Sequence, residues 1–213
     1  KGLWMLGNKC LVQWVLGATS GRRIVATDQK DVGFLADACG AEIFWRDATL
    51  ADGDHMIETL IAVAEGFDLS DDTIMHVCQP SSPFLRARDL RAAGDALSFT
   101  FSKVGSFQTV IPVPHNFHEW NQREFGDAGV DFVDRKRRLE AKTKQVKPDR
   151  WSFGNLVSVR VGALRNQHAI FALPSRGLAI PRWYGLDVDD LDDLKLAEAY
   201  LAQGLVTEEE LHS

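Results

Sequence analysis

A chain of 213 residues can bury one sizeable core but is too short for two independent domains at the usual ~100–200 residues each. Its 45% hydrophobic content, mean hydropathy of −0.15 and formal charge of −6 are those of a soluble globular protein, and exclude disordered, collagen-like and repeat classes. The acidic balance, 24 Lys and Arg against 30 Asp and Glu, also argues against unspecific nucleic-acid binding, whose affinity comes from neutralised phosphates.

No stretch reaches the ~18 consecutive apolar residues of a membrane span, and Lys1-Gly2 opens no secretory signal, so a cytoplasmic protein without membrane contact is expected. Cys10, Cys39 and Cys78 are odd in number and far apart, which predicts small buried residues rather than a disulfide framework or a zinc site.

In chain order, the apolar spacing of Leu11, Trp14, Val15 and Ala18 predicts a short helix, and Ile24-Val25-Ala26 a buried strand. Asp31 to Cys39 reads as a helix closed by Gly40, and Ala41 to Trp45 as the next strand. Met56, Ile57, Leu60, Ile61 and Ala64 mark an amphipathic helix ending near Gly66, followed by a strand at Thr73–Val77. Phe99–Phe101 and Thr109–Val113 are strand candidates, with Pro112 and Pro114 arguing for an edge or a connection.

Residues 114–150 read as an irregular, mostly polar insertion. Its basic stretch, Arg135-Lys136-Arg137-Arg138 with Lys142, Lys144, Lys147 and Arg150, is either a solvated helix face or a phosphate or carboxylate clamp. Leu156–Val161 and Ala169–Leu173 are two further strand candidates. A helix begins at Leu191 with aspartates in and before its first turn, and Thr207 with Glu210 forms a capping box for a last one.

Strands alternating with helices predict an α/β layered fold with a mainly parallel sheet, whose ligands bind beyond the carboxyl ends of the strands. Thr27-Asp28, Arg46 and Gln79–Ser82, each just past a strand, therefore share one edge. Asp187-Val188-Asp189 is the sharpest local signal. In an extended stretch over 184–189 the two carboxylates point to one face and can ligate Mg²⁺, or they complement the dipole of the following helix, as Asp190, Asp192 and Asp193 do. His115 and His118 lack a third ligand for zinc, His76 inside an apolar strand reads as a hydrogen-bonded core residue, and His55 as a surface or ligand-edge residue.

Taken together these segments resemble the acylneuraminate cytidylyltransferase family, which activates nine-carbon α-keto sugar acids as CMP conjugates. Gly2-Leu3-Trp4-Met5-Leu6-Gly7-Asn8-Lys9-Cys10-Leu11-Val12 is similar to the family's N-I-x-x-L-x-G-K-P-L-I, Ile24-Val25-Ala26-Thr27-Asp28 to V-V-S-T-D, and Gly40 to Arg46 to G-A-E-V-x-x-R. Cys78-Gln79-Pro80-Ser81-Ser82-Pro83-Phe84-Leu85-Arg86 resembles L-Q-P-T-S-P-L-R, and Leu186 to Asp193 with Ala197-Glu198 resembles I-D-I-D-T-x-x-D with A-E. Phe84-Leu85 leans toward the pseudaminate-type relatives.

The resemblance implies a single cytidylyltransferase-like domain over 1–213, in a three-layer Rossmann-like fold of the nucleotide-diphospho-sugar transferase type. CTP and a nine-carbon α-keto sugar acid would be the substrates, Mg²⁺ the cofactor, and a homodimer through residues 114–140 the assembly. By the same resemblance Arg46 and Lys1 bind the nucleotide, Gln79, Ser82, Lys144 and Gln145 bind the sugar, and Asp187 and Asp189 hold the metal and serve catalysis.

Two departures accompany it. Of the family's opening strand and glycine-rich loop, I-P-A-R-x-G-S-K-G-I-P-R-K-N, only Lys1-Gly2 has a counterpart, so a fragment is expected. Thr143-Lys144-Gln145-Val146 stands where the family has R-R-Q-D, and a lysine cannot reproduce bidentate arginine geometry. Two alternatives stay open, a non-catalytic nucleotide-sugar-binding domain and a nucleotidyltransferase for a different sugar.

Overall fold

The computed structural model describes residues 1–51, 55–99, 103–127, 129–141 and 143–213. A tight hairpin, β1 (Met5–Leu6) and β2 (Lys9–Cys10), turns at Gly7 with φ +61°, a left-handed conformation that glycine adopts without Cβ strain. In α1 (Leu11–Ala18) six of eight residues are buried, because the helix is covered on nearly every side. Next come β3 (Ile24–Thr27), α2 (Lys30–Ala38) and β4 (Glu42–Trp45), a βαβ unit whose two strands pair in parallel.

The chain continues through α3 (Ala48–Ala51), α4 (Met56–Gly66), β5 (Ile74–Val77), α5 (Ala87–Phe99) and β6 (Ser106–Pro112). A hairpin of β7 (Arg123–Gly126) and β8 (Gly129–Phe132) leads to α6 (Arg135–Glu140). Then follow β9 (Trp151–Arg160), α7 (Val161–Gln167), β10 (Ser175–Ala179), α8 (Leu191–Ala202) and α9 (Glu208–His212).

A four-stranded sheet runs in the order β10-β6-β9-β5, with β10 parallel to β6 and β9 antiparallel to both of its neighbours. β5, β6 and β10 therefore point the same way. Their carboxyl ends, Val77, Pro112 and Ala179, lie on one edge of the sheet, and the segments that follow β5 and β10 leave from that edge. The α/β architecture expected from the alternation of elements is present, with the single antiparallel strand β9 making the larger sheet mixed.

Several local expectations are corrected. Phe99 closes helix α5 instead of opening a strand, and 100–102 lie outside the described residues. Of Thr109–Val113, residues 109–112 belong to β6, which is internal and not an edge; its Pro112 is tolerated because the pairing with β10 stops at Val110. Ala169–Leu173 is turn, since Ile170 and Ala172 pack beneath the sheet, and the strand starts at Ser175. Leu156–Arg160 is part of the ten-residue β9, and Val161 already belongs to α7.

Residues 114–150, expected to be irregular, contain the β7–β8 hairpin and α6. Cys10 is buried, whereas Cys39 and Cys78 are only half-buried. His76 keeps a hydrogen bond, 2.7 Å between Nδ1 and Ser158 Oγ, but is exposed and not a core residue, because β5 is an edge strand.

The largest apolar cluster lies beneath the site edge. Leu6, Leu11, Trp14, Phe84, Ile180, Tyr184, Val188, Ala197, Val206 and Leu211 join the amino-terminal hairpin to the segments after β5 and β10 and to the two last helices. Phe84, Leu6, Leu11 and Val188 are fully buried, each worth roughly 1.5–3 kcal/mol relative to exposure. The loops of the edge are thus anchored by their own apolar residues.

Candidate active site

The Gln79–Arg86 loop leaves β5 in a turn in which the Ser82 N–H donates to the Gln79 carbonyl at 3.0 Å. Phe84 and Leu85 enter the core, and Ser82 is 3% exposed. The loop ends on a buried ion pair: Arg86 donates Nε and Nη2 to the two carboxylate oxygens of Asp89 at 2.7 and 2.9 Å. The same guanidinium stacks 4.3 Å from the ring centre of Tyr184, which belongs to the segment after β10. Gln79 is half-buried, and its carboxamide has no hydrogen bond to any other described residue.

The segment after β10 makes a 3-10 turn at Arg182–Gly185, so the stretch expected to be extended over 184–189 begins in a turn, and Leu186 just after it is extended. Val188 is fully buried and its N–H donates to the Ser81 carbonyl at 2.7 Å. Asp187 and Asp189, on either side of the buried Val188, are exposed. Asp187 accepts a bond from Ser82 Oγ at 3.4 Å, and Asp189 accepts one from Lys1 Nζ at 2.6 Å. The Lys1 ammonium is held above its usual pKa, first by that bond to Asp189, with Asp187 and Asp190 adding to it. Gly2 follows beside the loop, close enough that a Cβ there would lie 3.8 Å from Pro80.

The aspartates divide by task. Asp190 caps α8, accepting the N–H groups of Asp192 and Asp193 at 2.8 and 3.0 Å, and these bonds, that of Asp193 first, hold its carboxyl below the usual range. Asp193 in return accepts the N–H groups of Asp189 and Asp190. Both carboxylates are committed to the helix end, as the sequence suggested. Asp187 and Asp189 are not.

Arg46 occupies a second place. It follows β4, its backbone N–H donates to Thr27 at 3.0 Å, and its guanidinium pairs with Asp28 just past β3. Arg46 Nε is buried without a partner among the described residues, and the Asp28 carboxyl is held below its usual pKa chiefly by the Arg46 hydrogen bond. Among the described residues, no hydrogen bond or ion pair joins this couple to Ser82, Asp187, Asp189 or Lys1.

Lys144 and Gln145 lie in a 3-10 turn, Lys144–Val146, within the insertion, and Gln145 is exposed. Nothing described brings Gln145 to either loop. The basic stretch is mostly solvated: Arg135 pairs with Asp131, Arg137 with Asp134 and Arg150 with Glu119, while Lys142 lies outside the described residues. His118 is buried with both ring nitrogens used, Nδ1 accepting from the Trp120 N–H and Nε2 donating to the Pro148 carbonyl, so its imidazole serves the insertion's own fold. His55 is a surface residue 3.9 Å from Glu58.

The expected metal is magnesium, and the donor chemistry fits it. Among the described residues no group of three or more His, Cys, Asp or Glu is arranged around one point. Two exposed carboxylates two residues apart suit Mg²⁺, which binds through one or two carboxylates and keeps water and substrate phosphates as its other ligands.

The arrangement also includes residues that sequence reasoning missed. Arg86, Asp89, Tyr184 and the strand residue Asn155 tie the two loops from below. Only the glycine beside Asn155, unusual inside a strand, signals a special position.

Residues 1–119 match the cytidylyltransferase family model. Among solved structures, a CMP:2-keto-3-deoxy-manno-octonic acid synthetase complexed with CTP aligns over 96% of this chain and 92% of its own, with TM-score 0.67 and 16% identity. The 2-C-methyl-D-erythritol 4-phosphate cytidylyltransferase of Thermus thermophilus aligns over 93% and 92%, with TM-score 0.61 and 15% identity. A cytidylyltransferase from Leptospira borgpetersenii serovar Hardjo-bovis aligns over 100% and 83%, with TM-score 0.62 and 10% identity. At these identities the likeness is one of fold.

Proposed function

The chain belongs to the cytidylyltransferase family, and from that premise we propose that it transfers the CMP group of CTP to a nonulosonic, sialic-acid-like α-keto sugar acid. The anomeric hydroxyl oxygen attacks the α-phosphorus, a new P–O bond forms, and the bond to pyrophosphate breaks as the hydroxyl proton leaves. The observation that supports this reading best is the junction of the Gln79–Arg86 loop with Asp187-Val188-Asp189 through the Ser81–Val188 and Ser82–Asp187 hydrogen bonds.

On this reading Gln79 and Ser82 bind the sugar, since a carboxamide donates and accepts at once and a hydroxyl does the same. Arg46 offers a planar set of donors to the cytosine or its ribose, and Lys1 a positive charge to the phosphates. Asp187 and Asp189 hold Mg²⁺, which when bound neutralises phosphate charge. One of these two carboxylates accepts the hydroxyl proton, directly or through water. Lys144 and Gln145 bind the sugar acid, and self-association through residues 114–140 has exposed apolar groups to use, Phe125 at 91% and Val130 at 55%.

The test is pyrophosphate release from CTP, in the intact protein, with nine-carbon α-keto sugar acids and Mg²⁺. A second reading, an eight-carbon acid, is favoured by the fold likeness to the octonic acid synthetase. A preference for that acid in competition would replace the nine-carbon assignment.

A further inference from the structure

The two loops of the candidate site follow different strands, and one buried side chain from a third strand holds both. Asn155 lies in β9 and is 2% exposed. Its Nδ2 donates one hydrogen to the Phe84 carbonyl at 3.1 Å and the other to the Tyr184 carbonyl at 2.9 Å. Its Oδ1 accepts from the Thr109 hydroxyl at 3.0 Å. Two carbonyls can only accept, so they fix which end of the carboxamide faces them.

Strand chemistry prepares this position. The β6–β9 register shifts between Gln108 and Val110, and the skipped residue, Thr109, is fully buried. Its hydroxyl oxygen accepts the backbone N–H groups of Asn155 and Leu156 at 2.9 and 3.0 Å, replacing the ladder bonds that the bulge removes. Gly154 leaves room for that hydroxyl, because a Cβ there would stand 2.6 Å from Thr109 Oγ1. Bulge, glycine, threonine and asparagine act as one device whose outcome is a carboxamide with every polar atom engaged.

We infer that Asn155 is a positioning residue that sets the spacing between the loop carrying Gln79 and Ser82 and the segment carrying Asp187 and Asp189. The inference rests on the proposed function for what the two loops bind, and on the hydrogen bonds alone for how they are held. Phe84 and Tyr184 are buried, so a carbonyl that loses its Asn155 donor finds no water at once, and the loop must move to satisfy it. Since one NH₂ group serves both carbonyls, neither loop can shift without disturbing the other. The Ser81–Val188 and Ser82–Asp187 bonds lie above this pin and depend on it.

The experiment compares Asn155→Ala with wild type in the intact protein, by hydrogen-exchange mass spectrometry and by steady-state kinetics with CTP and sugar acid. Exchange should rise together in 79–86 and 182–189, by at least tenfold, while β3, α2 and β4 keep their protection. kcat should fall at least tenfold with KM for CTP within about threefold. A folded variant with unchanged exchange in both loops, faster exchange in one loop only, a uniform rise across the sheet, or wild-type kcat overturns the inference.

If Asn155→Ala does not fold, Thr109→Val removes the hydroxyl that holds Asn155 Oδ1 and accepts the Asn155 and Leu156 N–H groups, at nearly constant volume, and is read in the same way. Thr109→Ser, which returns the hydroxyl, should then rescue both signals, and failure of that rescue overturns the inference as well. Wild-type protein that releases no pyrophosphate with any α-keto sugar acid would defeat the proposed function, while the exchange data would still decide the role of Asn155.

Discussion

Lys1 and Asp189, 188 positions apart in sequence, form a 2.6 Å ion pair with side chains 47% and 67% exposed. An exposed pair of this kind contributes little to stability and exchanges partners readily. On the proposed function the Asp189 carboxylate trades the ammonium for a metal ion, and the ammonium trades the carboxylate for a phosphate.

That trade yields the first prediction. Asp189→Asn and Asp187→Asn in the intact protein should each lower kcat by at least roughly 10²-fold, about 2.7 kcal/mol of barrier, if these oxygens hold the ion that stabilises phosphate charge. Melting temperature should barely change, since both side chains face water. Pyrophosphate release near the wild-type rate from both variants at limiting Mg²⁺ would remove the assignment. His118→Ala should leave the Mg²⁺ dependence as it is, because that imidazole is spent within the insertion.

The buried Arg86–Asp89 pair gives a stability prediction. Both side chains are at most 5% exposed, so removing one leaves an unpaired charge in the interior. Arg86→Ala should cost about 3–5 kcal/mol in urea unfolding, with part of the loss from the vacated face of Tyr184. Arg86→Met with Asp89→Leu should recover much of it, because apolar side chains of similar volume need no pairing. A loss below ~1 kcal/mol in the single variant would show that the pair is water-accessible in solution.

What the chain discloses to a reader of its sequence depends on how local each cause is. α1, β3, α2, β4, α4 and β5 are legible because their apolar residues recur at the period of the element and polar turns bound them. α5 is hidden because Arg86 and Asp89, polar on paper, are buried as a pair, leaving Leu90, Ala93, Ala96 and Leu97 as its apolar face. α7 is hidden because Val161 continues the apolar run of β9 and the N-cap, Arg160, makes no side-chain cap bond. At the site, Gln79–Ser82 and Asp187–Asp189 are contiguous motifs and stand out. Asn155 acts on carbonyls 71 and 29 positions away, and no local pattern encodes that.

Asp28 supplies the pH prediction. Its carboxyl is held below the usual 3.8, chiefly by the Arg46 hydrogen bond, so the folded protein binds that proton less readily than the unfolded chain. The pair's contribution is complete above about pH 4 and is lost as pH falls through the depressed folded value. In Arg46→Ala the Asp28 carboxyl should move back up toward 3.8, and acid unfolding should lose the part that depends on this pair. Carbon-detected NMR titration of Asp28 in both proteins reads the shift; equal values would show that Arg46 does not set it.

Gln79 and Arg46 can be set against each other to test the division of substrates. Gln79 follows β5, its carboxamide without a hydrogen bond to any other described residue, in the loop bonded to the Asp187 segment. Arg46 follows β4, and no described hydrogen bond or ion pair links it to that loop. If the first reads the sugar and the second the nucleotide, truncating either leaves unpaired groups on one ligand only. Gln79→Ala should lower kcat/KM for the sugar acid by roughly 10–10³-fold, or ~1.4–4 kcal/mol, and hardly change that for CTP. Arg46→Ala should do the reverse. Steady-state kinetics with both substrates varied separates the cases, and parallel losses toward both substrates in both variants would mean that the two side chains do not divide the ligands between them.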